Sequence, residues 1–453
     1  MSRRRQKNRN NRARPGLTLV LVLWIVALLS VSMYGALVLS RTEYSLTNTF
    51  EDEEKLRQIA LSGIDFGIAS LLEDATPYDT MTDDWFNNET LFKEVPLGEG
   101  TFSLVRPEPE GKDGFVYGIQ DEASRLNLNT AAMEHFKELK PLDEAMASAI
   151  IDWRDEDEEA LGQGAEDGYY LALTPPYKTK NAPYETLEEL LYVKDITPAI
   201  LYGKDRNVNG KVDGSEIDDA VATTDFGIYR WVTPYSSEPN LDINGKPRVN
   251  LNTASDPELV QVLQVSFTPQ KQQIVLNWRR NNKFQTAAQV CGLFQGNTHI
   301  NRPELQPVYD QLTVTDDKRL VGLVNVNTAP EFVLRTLAGL TPAAKAAWPN
   351  GVIPPQNVTE DELKKIIEIR KAGGARLASA SWVEDVLDDP KFRTFGPFIT
   401  TKSRQYRIDV VARLTDKTLY KRYQAVVDID RENSKARIIY FRDISHRFMK
   451  AWE

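Results

Sequence analysis

The sequence predicts an α+β protein in which one long N-terminal transmembrane helix packs on an antiparallel sheet. A large all-α insertion of repeats is predicted to split that sheet. Three observations support the prediction. An uncharged run at residues 15–40 follows a basic head. Strand-like segments occur before residue 120 and again after residue 400, and between them one short motif occurs three times.

The uncharged run predicts a membrane-spanning helix. It contains 26 residues between Arg14 and Arg41, and about 20 apolar residues are enough to cross the hydrocarbon core as a helix. The first 14 residues contain six Arg and one Lys and no acidic residue. This distribution of charge predicts a cytoplasmic N-terminus and export of the rest of the chain. A plain single-pass anchor, which is not cleaved, is the alternative to a processed leader at this position.

The helix is expected to continue beyond the membrane. Apolar residues recur at helical spacing after Arg41, which predicts one helix from Leu17 to about Leu72. Gly63 and Gly67 lower the helix propensity but permit close packing onto the sheet. The strands of that sheet are predicted at residues 101–105, 114–119, 406–412, 421–429 and 436–441.

The segment between the strands contains an internal repeat. Its motif has two Asn separated by one apolar residue and followed by Thr-Ala, and it occurs at residues 126–131, 249–254 and 324–329. In each copy a short strand precedes a capped helix, and a second helix ends in Arg. Thr253 with Asp256, and Thr328 with Glu331, have the spacing of a capping box. The same internal order in three copies predicts internal duplication.

Composition excludes several classes of function. The formal net charge is −10, and without the basic head 48 basic and 65 acidic residues leave −17, which disfavours nucleic acid as a partner. Cys291 is the single cysteine, so no intramolecular disulfide is expected. His135, His299 and His446 are isolated, and no constellation of catalytic residues is evident, so an enzyme is not expected.

Residues 205–216 match the twelve-residue EF-hand loop. Oxygen-bearing side chains occupy positions one, three, five and nine, glycine occupies the turn at position six, and Glu occupies position twelve. The residue at position seven would contribute only its carbonyl oxygen. A polar turn is the alternative. The sequence therefore predicts a calcium site formed by Asp205, Asn207, Asn209, Lys211, Asp213 and Glu216.

A second group of carboxylates falls within residues 152–167. So many acidic side chains repel one another unless a cation or solvent relieves the repulsion. A second metal site is therefore predicted here, with a solvated acidic loop as the alternative. The candidate ligands are Asp152, Asp155, Asp157, Glu159, Glu166 and Asp167.

A small residue between a basic head and an apolar helix resembles the signal of type IV pilins and type II secretion pseudopilins. In those families a prepilin peptidase cuts after the glycine and methylates the new N-terminus. The resemblance implies cleavage between Gly16 and Leu17, with Thr18 and Leu19 continuing the pattern. Most such proteins have Glu as the fifth mature residue, where this chain has Leu21.

The prepilin-like N-terminus, the split sheet and the Asn-Leu-Asn-Thr-Ala motif together resemble one family. It is the general secretion pathway protein K family, the minor pseudopilins of the type II secretion system. The acidic segment that starts at residue 152, and residues 184–190, also match that family. The resemblance implies a pilin-like sheet and calcium in the helical insertion.

The same resemblance implies a place and partners for the chain. It implies a single-pass inner-membrane protein with a periplasmic body, located at the tip of the pseudopilus, where it initiates assembly and aids protein export. Its implied partners are the minor pseudopilins I and J, other secretion-system components and the prepilin peptidase. A minor pilin of a type IV pilus, acting in adhesion or DNA uptake, is the alternative.

The repeats resemble helix-hairpin-helix or SAM-like units, some of which bind DNA through a Gly-x-Gly hairpin. The corresponding hairpins, residues 139–142, 265–268 and 338–341, contain one glycine in total, so no nucleic acid is expected. The predicted segments are 1–16 (leader), 17–120 (helix and first strands), 121–248, 249–323 and 324–400 (three repeats) and 401–453 (last strands).

Cleavage after Gly16 predicts that the membrane-bound chain begins at Leu17, which N-terminal sequencing checks. Replacing Gly16 by Trp should leave the basic head attached, because the bulky side chain blocks the small-residue position before the cut. Gly35→Ala, a change at a glycine inside the apolar run, is the control and should leave processing unchanged. Recovery of the wild-type chain only as the intact Met1 form would contradict the prediction.

Overall fold

The structure is a computed structural model that describes residues 15–214, 216, 222, 224–294, 302–338 and 357–445. The chain divides into two compact units, Met1–Gln58 and Ile59–Glu453. The basic head therefore lies outside the described residues, as do the side chains of Gly16 and Leu17.

The elements are numbered in chain order. The α-helices are α1 (Pro15–Glu73), α2 (Glu89–Phe92), α3 (Met133–Glu138), α4 (Glu144–Asp152), α5 (Asp167–Tyr170), α6 (Pro198–Tyr202), α7 (Asp256–Leu263), α8 (Pro269–Asn281), α9 (Arg302–Tyr309), α10 (Glu331–Ala338), α11 (Glu360–Lys371) and α12 (Asp389–Phe395). The strands are β1 (Val95–Leu97), β2 (Gly100–Pro107), β3 (Phe115–Tyr117), β4 (Gln120–Asp121), β5 (Leu126–Asn127), β6 (Val232–Thr233), β7 (Ser237–Pro239), β8 (Val249–Asn250), β9 (Leu312–Thr313), β10 (Arg319–Val321), β11 (Val324–Asn325), β12 (Ile399–Thr400), β13 (Gln405–Leu414), β14 (Tyr420–Asp430) and β15 (Lys435–Asp443).

Helix α1 confirms the predicted long N-terminal helix to within two residues at each end. Its first half is long and apolar enough to cross a membrane. The large apolar side chains from Leu19 to Leu39 are exposed in the first unit, and a helix that is apolar all round is typical of a membrane span.

The sheet has the strand order β1-β2-β13-β14-β15, with β3 added beside β2 and β4 beside β13. Every pair in it is antiparallel. Val410 of β13 lies opposite Leu104 of β2 on one side and opposite Tyr423 of β14 on the other. Strands from the two ends of the second unit are thus direct neighbours, which confirms the predicted split sheet.

The end of α1 packs on this sheet through two glycines. A Cβ atom on Gly63 would lie 2.7 Å from Cγ1 of Val410, and one on Gly67 would lie 2.9 Å from Cδ2 of Leu104. Larger residues would push the helix away from β2 and β13, so the predicted packing role of these glycines is confirmed. Ile64, between them, is buried.

Two adjacent buried carboxylates hold the junction at which the chain leaves the sheet. Oδ2 of Asp121 accepts hydrogen bonds from Nδ2 of Asn325 at 2.9 Å and from Oγ1 of Thr328 at 2.7 Å. Glu122 accepts from Nε of Arg407 at 2.8 Å and also pairs with Arg125 and Thr233. These contacts tie the start of the insertion to the sheet, to the end of the first repeat and to the third repeat.

The insertion consists of three copies of one unit. Each copy begins with a two-residue strand that pairs in parallel with a two-residue strand at its end: β5 with β6, β8 with β9, and β11 with β12. The closing strand is an apolar residue followed by Thr in every copy. One apolar core runs through all three copies. The insertion was predicted to be all-α, and this prediction is wrong, because each copy closes on a short parallel strand pair.

The repeated motif is explained by what its side chains bind. The side chain of the second Asn holds the backbone that follows the second helix. Asn129 bonds the backbone N–H and carbonyl of Tyr184, and Asn252 bonds those of Phe284. Asn327 bonds the carbonyl of Leu377. The Arg at the end of the second helix donates to the carbonyl of the motif's Ala, from Arg154, Arg279 and Arg370 at 2.5, 2.8 and 2.6 Å. Buried backbone polar groups need such partners.

The predicted capping boxes at the motif threonines are wrong. Helix α7 is capped by Ser255 with Glu258, two residues later than predicted. The hydroxyl of Thr253 donates instead to Asp316 at 3.0 Å, and that of Thr328 donates to Asp121. Both threonines therefore form hydrogen bonds to residues far away in the sequence. Their three-residue spacing from an acidic residue does not indicate a helix cap.

This role of the second Asn predicts a specific loss of stability. Asn327→Ala removes bonds to the carbonyls of Asp79 and Leu377 and to Nε1 of Trp382, all buried. The free energy of unfolding should fall by about 2–4 kcal/mol because three buried partners lose their hydrogen bonds. Urea denaturation of the full chain in micelles measures it. Asn282→Ala, which removes one exposed bond to the Trp278 carbonyl, should cost less than about 1 kcal/mol; equal losses would contradict this role.

Candidate metal centres

Both predicted metal loops are additions to the first repeat. In the second repeat only residues 282–286 separate α8 from the 3-10 turn Ala287–Leu293. In the first repeat residues 153–186 occupy the same place before the 3-10 turn Leu187–Tyr192 and contain the acidic loop. Likewise residues 310–311 join α9 to β9, whereas residues 203–231 join α6 to β6 and contain the EF-hand-like loop.

Three of the six predicted acidic ligands do not converge with the others, and two of these three bond the loop backbone. Asp152, at the end of α4, accepts hydrogen bonds from the N–H groups of Leu161 and Ala165 at 3.0 and 2.7 Å. Asp167 accepts from the N–H of Thr179 at 2.9 Å. Glu159 is exposed to solvent. None of these three belongs to the compact carboxylate group of the loop.

The other three, Asp155, Asp157 and Glu166, do converge. One carboxylate oxygen from each lies within 4.8 Å of the others. Glu166 is 7% exposed, and neither of its oxygens has a hydrogen-bond partner. Oδ1 of Asp155 and Oδ1 of Asn181 are also buried without a partner. Sequence reasoning missed Asn181, which lies 15 residues beyond Glu166 and whose Nδ2 donates to the backbone carbonyl of Asp157 at 3.3 Å.

Electrostatics show how unfavourable this arrangement is without a cation. Burial, followed by the negative charges of Asp152 and Asp155, raises the pKa of Glu166 to about 7. Buried oxygens without partners cost about 1–3 kcal/mol each. An oxygen-only set of carboxylates and an amide is the chemistry that hard divalent cations such as Ca²⁺ and Mg²⁺ prefer.

The EF-hand-like loop is also folded as a compact unit. Asp205 accepts from the N–H groups of Asn209 and Gly210 at 3.0 and 2.9 Å. Oδ2 of Asp213 accepts from both Asn207 and Asn209 at 2.8 and 3.1 Å. The side chains of positions one, three, five and nine are therefore brought together, and Gly210 at position six has a φ of +86°, which favours glycine.

Glu216 closes this loop from position twelve. Its Oε1 accepts from the N–H groups of Arg206 and Asn207, and its Oε2 accepts from that of Asp213. Burial, and secondly the charge of Glu216, raises the pKa of Asp205 to about 7. Lys211 at position seven donates its N–H to Asn209. Unlike Glu166, the carboxylates here are already bonded to loop N–H groups.

The flanks of this loop differ from a full helix–loop–helix. The incoming helix α6 has only five residues, because it begins at Pro198 and is ended by Gly203. Residues 217–221, where an outgoing helix would begin, lie outside the described residues.

A third carboxylate group, Asp74, Asp79 and Asp83, was not singled out in the sequence. It already has a protein cation, because Arg431 pairs with Asp74 at 3.2 Å and with Asp79 at 3.0 Å. Tyr406 also donates to Asp79 at 2.7 Å. Burial raises the pKa of Asp79. The group anchors the end of α1 to the sheet.

His135 has a structural role. Its Nδ1 accepts the N–H of Ala132 at 2.8 Å, and burial lowers its pKa to about 4. His299 and His446 lie outside the described residues.

Residues 121–203, which contain the acidic loop, match the family model described as type II secretion system (T2SS), protein K. Type II secretion system protein K of Klebsiella pneumoniae is 28% identical over 205 residues, which cover 42% of this chain and 60% of that protein. Over these residues the chain is similar to type II secretion system protein K. This confirms the resemblance that the sequence indicated.

A second curated relative has the same name. Protein K of Pseudomonas aeruginosa is 25% identical over 203 residues, covering 40% of this chain and 58% of that protein. The chain thus spans about 60% of the length of the protein K relatives it matches. The structure also aligns with a chain in the crystal structure of the GspK-GspI-GspJ complex from enterotoxigenic Escherichia coli. The superposition covers 88% of this chain and 98% of that chain, with 10% identity and a TM-score of 0.43.

Proposed function

We propose that this chain is a minor pseudopilin at the tip of the type II secretion pseudopilus, where it initiates assembly and aids protein export across the outer membrane. The observation that carries the proposal is the protein K match at residues 121–203, inside an insertion that splits a sheet packed on the long helix α1. The match favours a secretion pseudopilin over the alternative, a minor pilin of a type IV pilus.

The insertion supports a position at the end of the filament. It occupies most of the chain between β4 and β13, so copies at every step of a helical filament would collide, whereas a terminal copy has free space above it. Leu21 also stands where most pilin-like proteins have Glu. A carboxylate there can neutralise the N-terminal amine of a neighbour in lipid, where an unpaired charge is costly, and Leu cannot.

The proposal includes anchoring and partners. The N-terminus is cytoplasmic, the prepilin peptidase cuts after Gly16, and α1 holds the periplasmic body at the inner membrane. Its partners are the minor pseudopilins I and J. The role is structural and not enzymatic, and the three helical repeats act as protein-binding or spacer modules of helix-hairpin-helix or SAM-like type.

Calcium is proposed to occupy both loops of the first repeat. In the acidic loop Asp155, Asp157 and Glu166, whose carboxylates converge, would bind it together with Oδ1 of Asn181. Buried oxygens of Asp155, Glu166 and Asn181 lack partners. In the second loop the ligands would be Asp205, Asn207, Asn209, Asp213 and Glu216 with the carbonyl of Lys211. Exported sites function with dissociation constants of about 10⁻⁴–10⁻³ M.

Glu166→Gln tests the acidic loop. In chelator, native Glu166 holds its proton up to a pKa of about 7, whereas in the unfolded chain it ionises near pH 4.5. Its contribution is therefore complete below about pH 4.5 and is lost as the pH rises to about 7, by about 3 kcal/mol. The variant should lack this loss. Millimolar calcium should raise the melting temperature of the wild type more at pH 8 than at pH 5.5, because protons compete for Glu166.

Glu159→Gln is the matched control, since Glu159 lies in the same loop but is exposed. It should keep both the pH dependence and the calcium shift of the wild type. Melting curves of the full chain in micelles measure both quantities. Equal melting temperatures of the wild type in calcium and in chelator would show that neither loop binds a cation.

A tip position predicts where labelled copies lie. Gold-labelled chains in pseudopili should appear at one end, because the insertion leaves no room in the shaft. Overexpression of this chain alone should yield no long filaments, whereas coexpression with pseudopilins I and J should yield a complex that copurifies. Label spread evenly along the shaft would exclude the tip position, and copurification tests the partners separately.

A further inference from the structure

The EF-hand-like loop contacts the sheet as well as the insertion. It lies against the turn between β2 and β3, residues 108–114. The N–H of Gly114 donates to the carbonyl of Gly210 at 2.7 Å, and the N–H of Val212 donates to Oδ1 of Asp113 at 2.8 Å. These two bonds connect a loop of the first repeat to a turn about 100 residues earlier in the chain.

The bond from Val212 controls a candidate ligand. The N–H of Val212 and the carbonyl of Lys211 belong to the same peptide group, and in a trans peptide these two groups point in opposite directions. Because Asp113 holds the N–H, the carbonyl oxygen of Lys211 is directed away from the β2–β3 turn. This carbonyl is the position-seven ligand of an EF-hand loop. Asp113 therefore fixes the direction of a ligand that it does not itself provide.

A buried arginine of the sheet holds the opposite part of the loop. Arg422 of β14 is 2% exposed. Its Nη1 donates to the carbonyl of Asn207 at 3.0 Å and its Nη2 to that of Val208 at 2.8 Å. Asp409 of β13 fixes the guanidinium through two bonds of 2.8 and 2.6 Å. Positions three and four of the loop are thus set by a buried ion pair of the sheet.

The approach of loop and turn is too close for a side chain. A Cβ atom on Gly210 would lie 2.7 Å from the carbonyl oxygen of Gly114 and 2.9 Å from Cα of Pro107. Arg230, in the same extra segment of the first repeat, donates to the carbonyls of Glu108 and Lys112 at 2.9 and 2.7 Å. Both ends of the β2–β3 turn are therefore hydrogen-bonded to the segment 203–231.

We propose that the β2–β3 turn and Arg422 are the outer half of this cation site: they position the EF-hand-like loop, and a divalent cation in the loop holds the helical insertion on the sheet. The inference rests on the calcium site proposed above. Coupling between two sites is reciprocal. If the turn strengthens cation binding, the cation strengthens the contact between turn and loop by the same factor.

Hydrogen–deuterium exchange during a calcium titration tests this. The experiment uses the full chain in micelles with Glu166→Gln, which silences the acidic loop. Calcium should slow exchange at residues 205–214 and at residues 108–114 with one common midpoint. Asp113→Ala should raise that midpoint about tenfold, because a charged acceptor of a ligand-orienting N–H is lost. Asp113→Asn keeps an Oδ1 acceptor and should restore most of the affinity.

Asp416→Ala is the matched control, because Asp416 is an exposed aspartate in the turn between β13 and β14, and it should leave the midpoint unchanged. Protection of the loop with the same midpoint in Asp113→Ala and Asp416→Ala, or without protection of the turn, would overturn the coupling while leaving the calcium site. No protection of either segment at about 10 mM calcium, well above exported-site affinities, would overturn the calcium site and the coupling together.

Discussion

Two buried carboxylates, Asp121 and Glu122, hold the point at which the chain leaves the sheet, and the arrangement of the insertion depends on them. Burial alone would raise the pKa of Glu122, but the guanidinium groups of Arg125 and Arg407 outweigh it and keep that pKa below its ordinary value. Removing one partner of such a pair leaves a buried charge without compensation, at a cost of about 3–5 kcal/mol. The carboxylates therefore connect the sheet with the first and third repeats through contacts that are costly to break.

Closure of each repeat explains how the first one can carry long extra loops. In every copy the parallel strand pair, the second Asn of the motif and the Arg of the second helix bind the backbone at fixed places. The segments between those places are free to differ in length, because their ends are already held. Residues 153–186 and 203–231 use this freedom, and they contain the two candidate metal loops.

The described residues contain two groups of crowded carboxylates that differ in what offsets their mutual repulsion. At the end of α1, Arg431 supplies the positive charge for Asp74 and Asp79. In the acidic loop no Lys or Arg side chain of the described chain forms an ion pair with Asp155, Asp157 or Glu166, and the pKa of Glu166 rises instead. The first group is complete within the protein, whereas the second has the composition of a site that takes its charge from a bound cation.

The sequence alone determined the features that depend on neighbouring residues. A run of 26 uncharged residues predicts a membrane-spanning helix, and apolar residues at helical spacing extend it, so α1 was predicted to within two residues at each end. Alternating strands and the repeated Asn-x-Asn-Thr-Ala motif are also local, and they predicted the split sheet and the three repeats. The twelve-residue loop was found for the same reason, because its candidate ligands lie within one short segment.

Only the tertiary structure decided which acidic residues converge and what the motif side chains bind. Asp152 and Asp155 look alike in the sequence, but Asp152 accepts hydrogen bonds from loop N–H groups, whereas Asp155 lies close to Asp157 and Glu166. Thr328 bonds Asp121 across 207 residues, and Asp113 holds Val212 across 99. Such pairings depend on how the sheet and the repeats pack, because a carboxylate or a hydroxyl bonds whichever polar group the fold brings near it. Spacing along the chain does not show which polar group that will be.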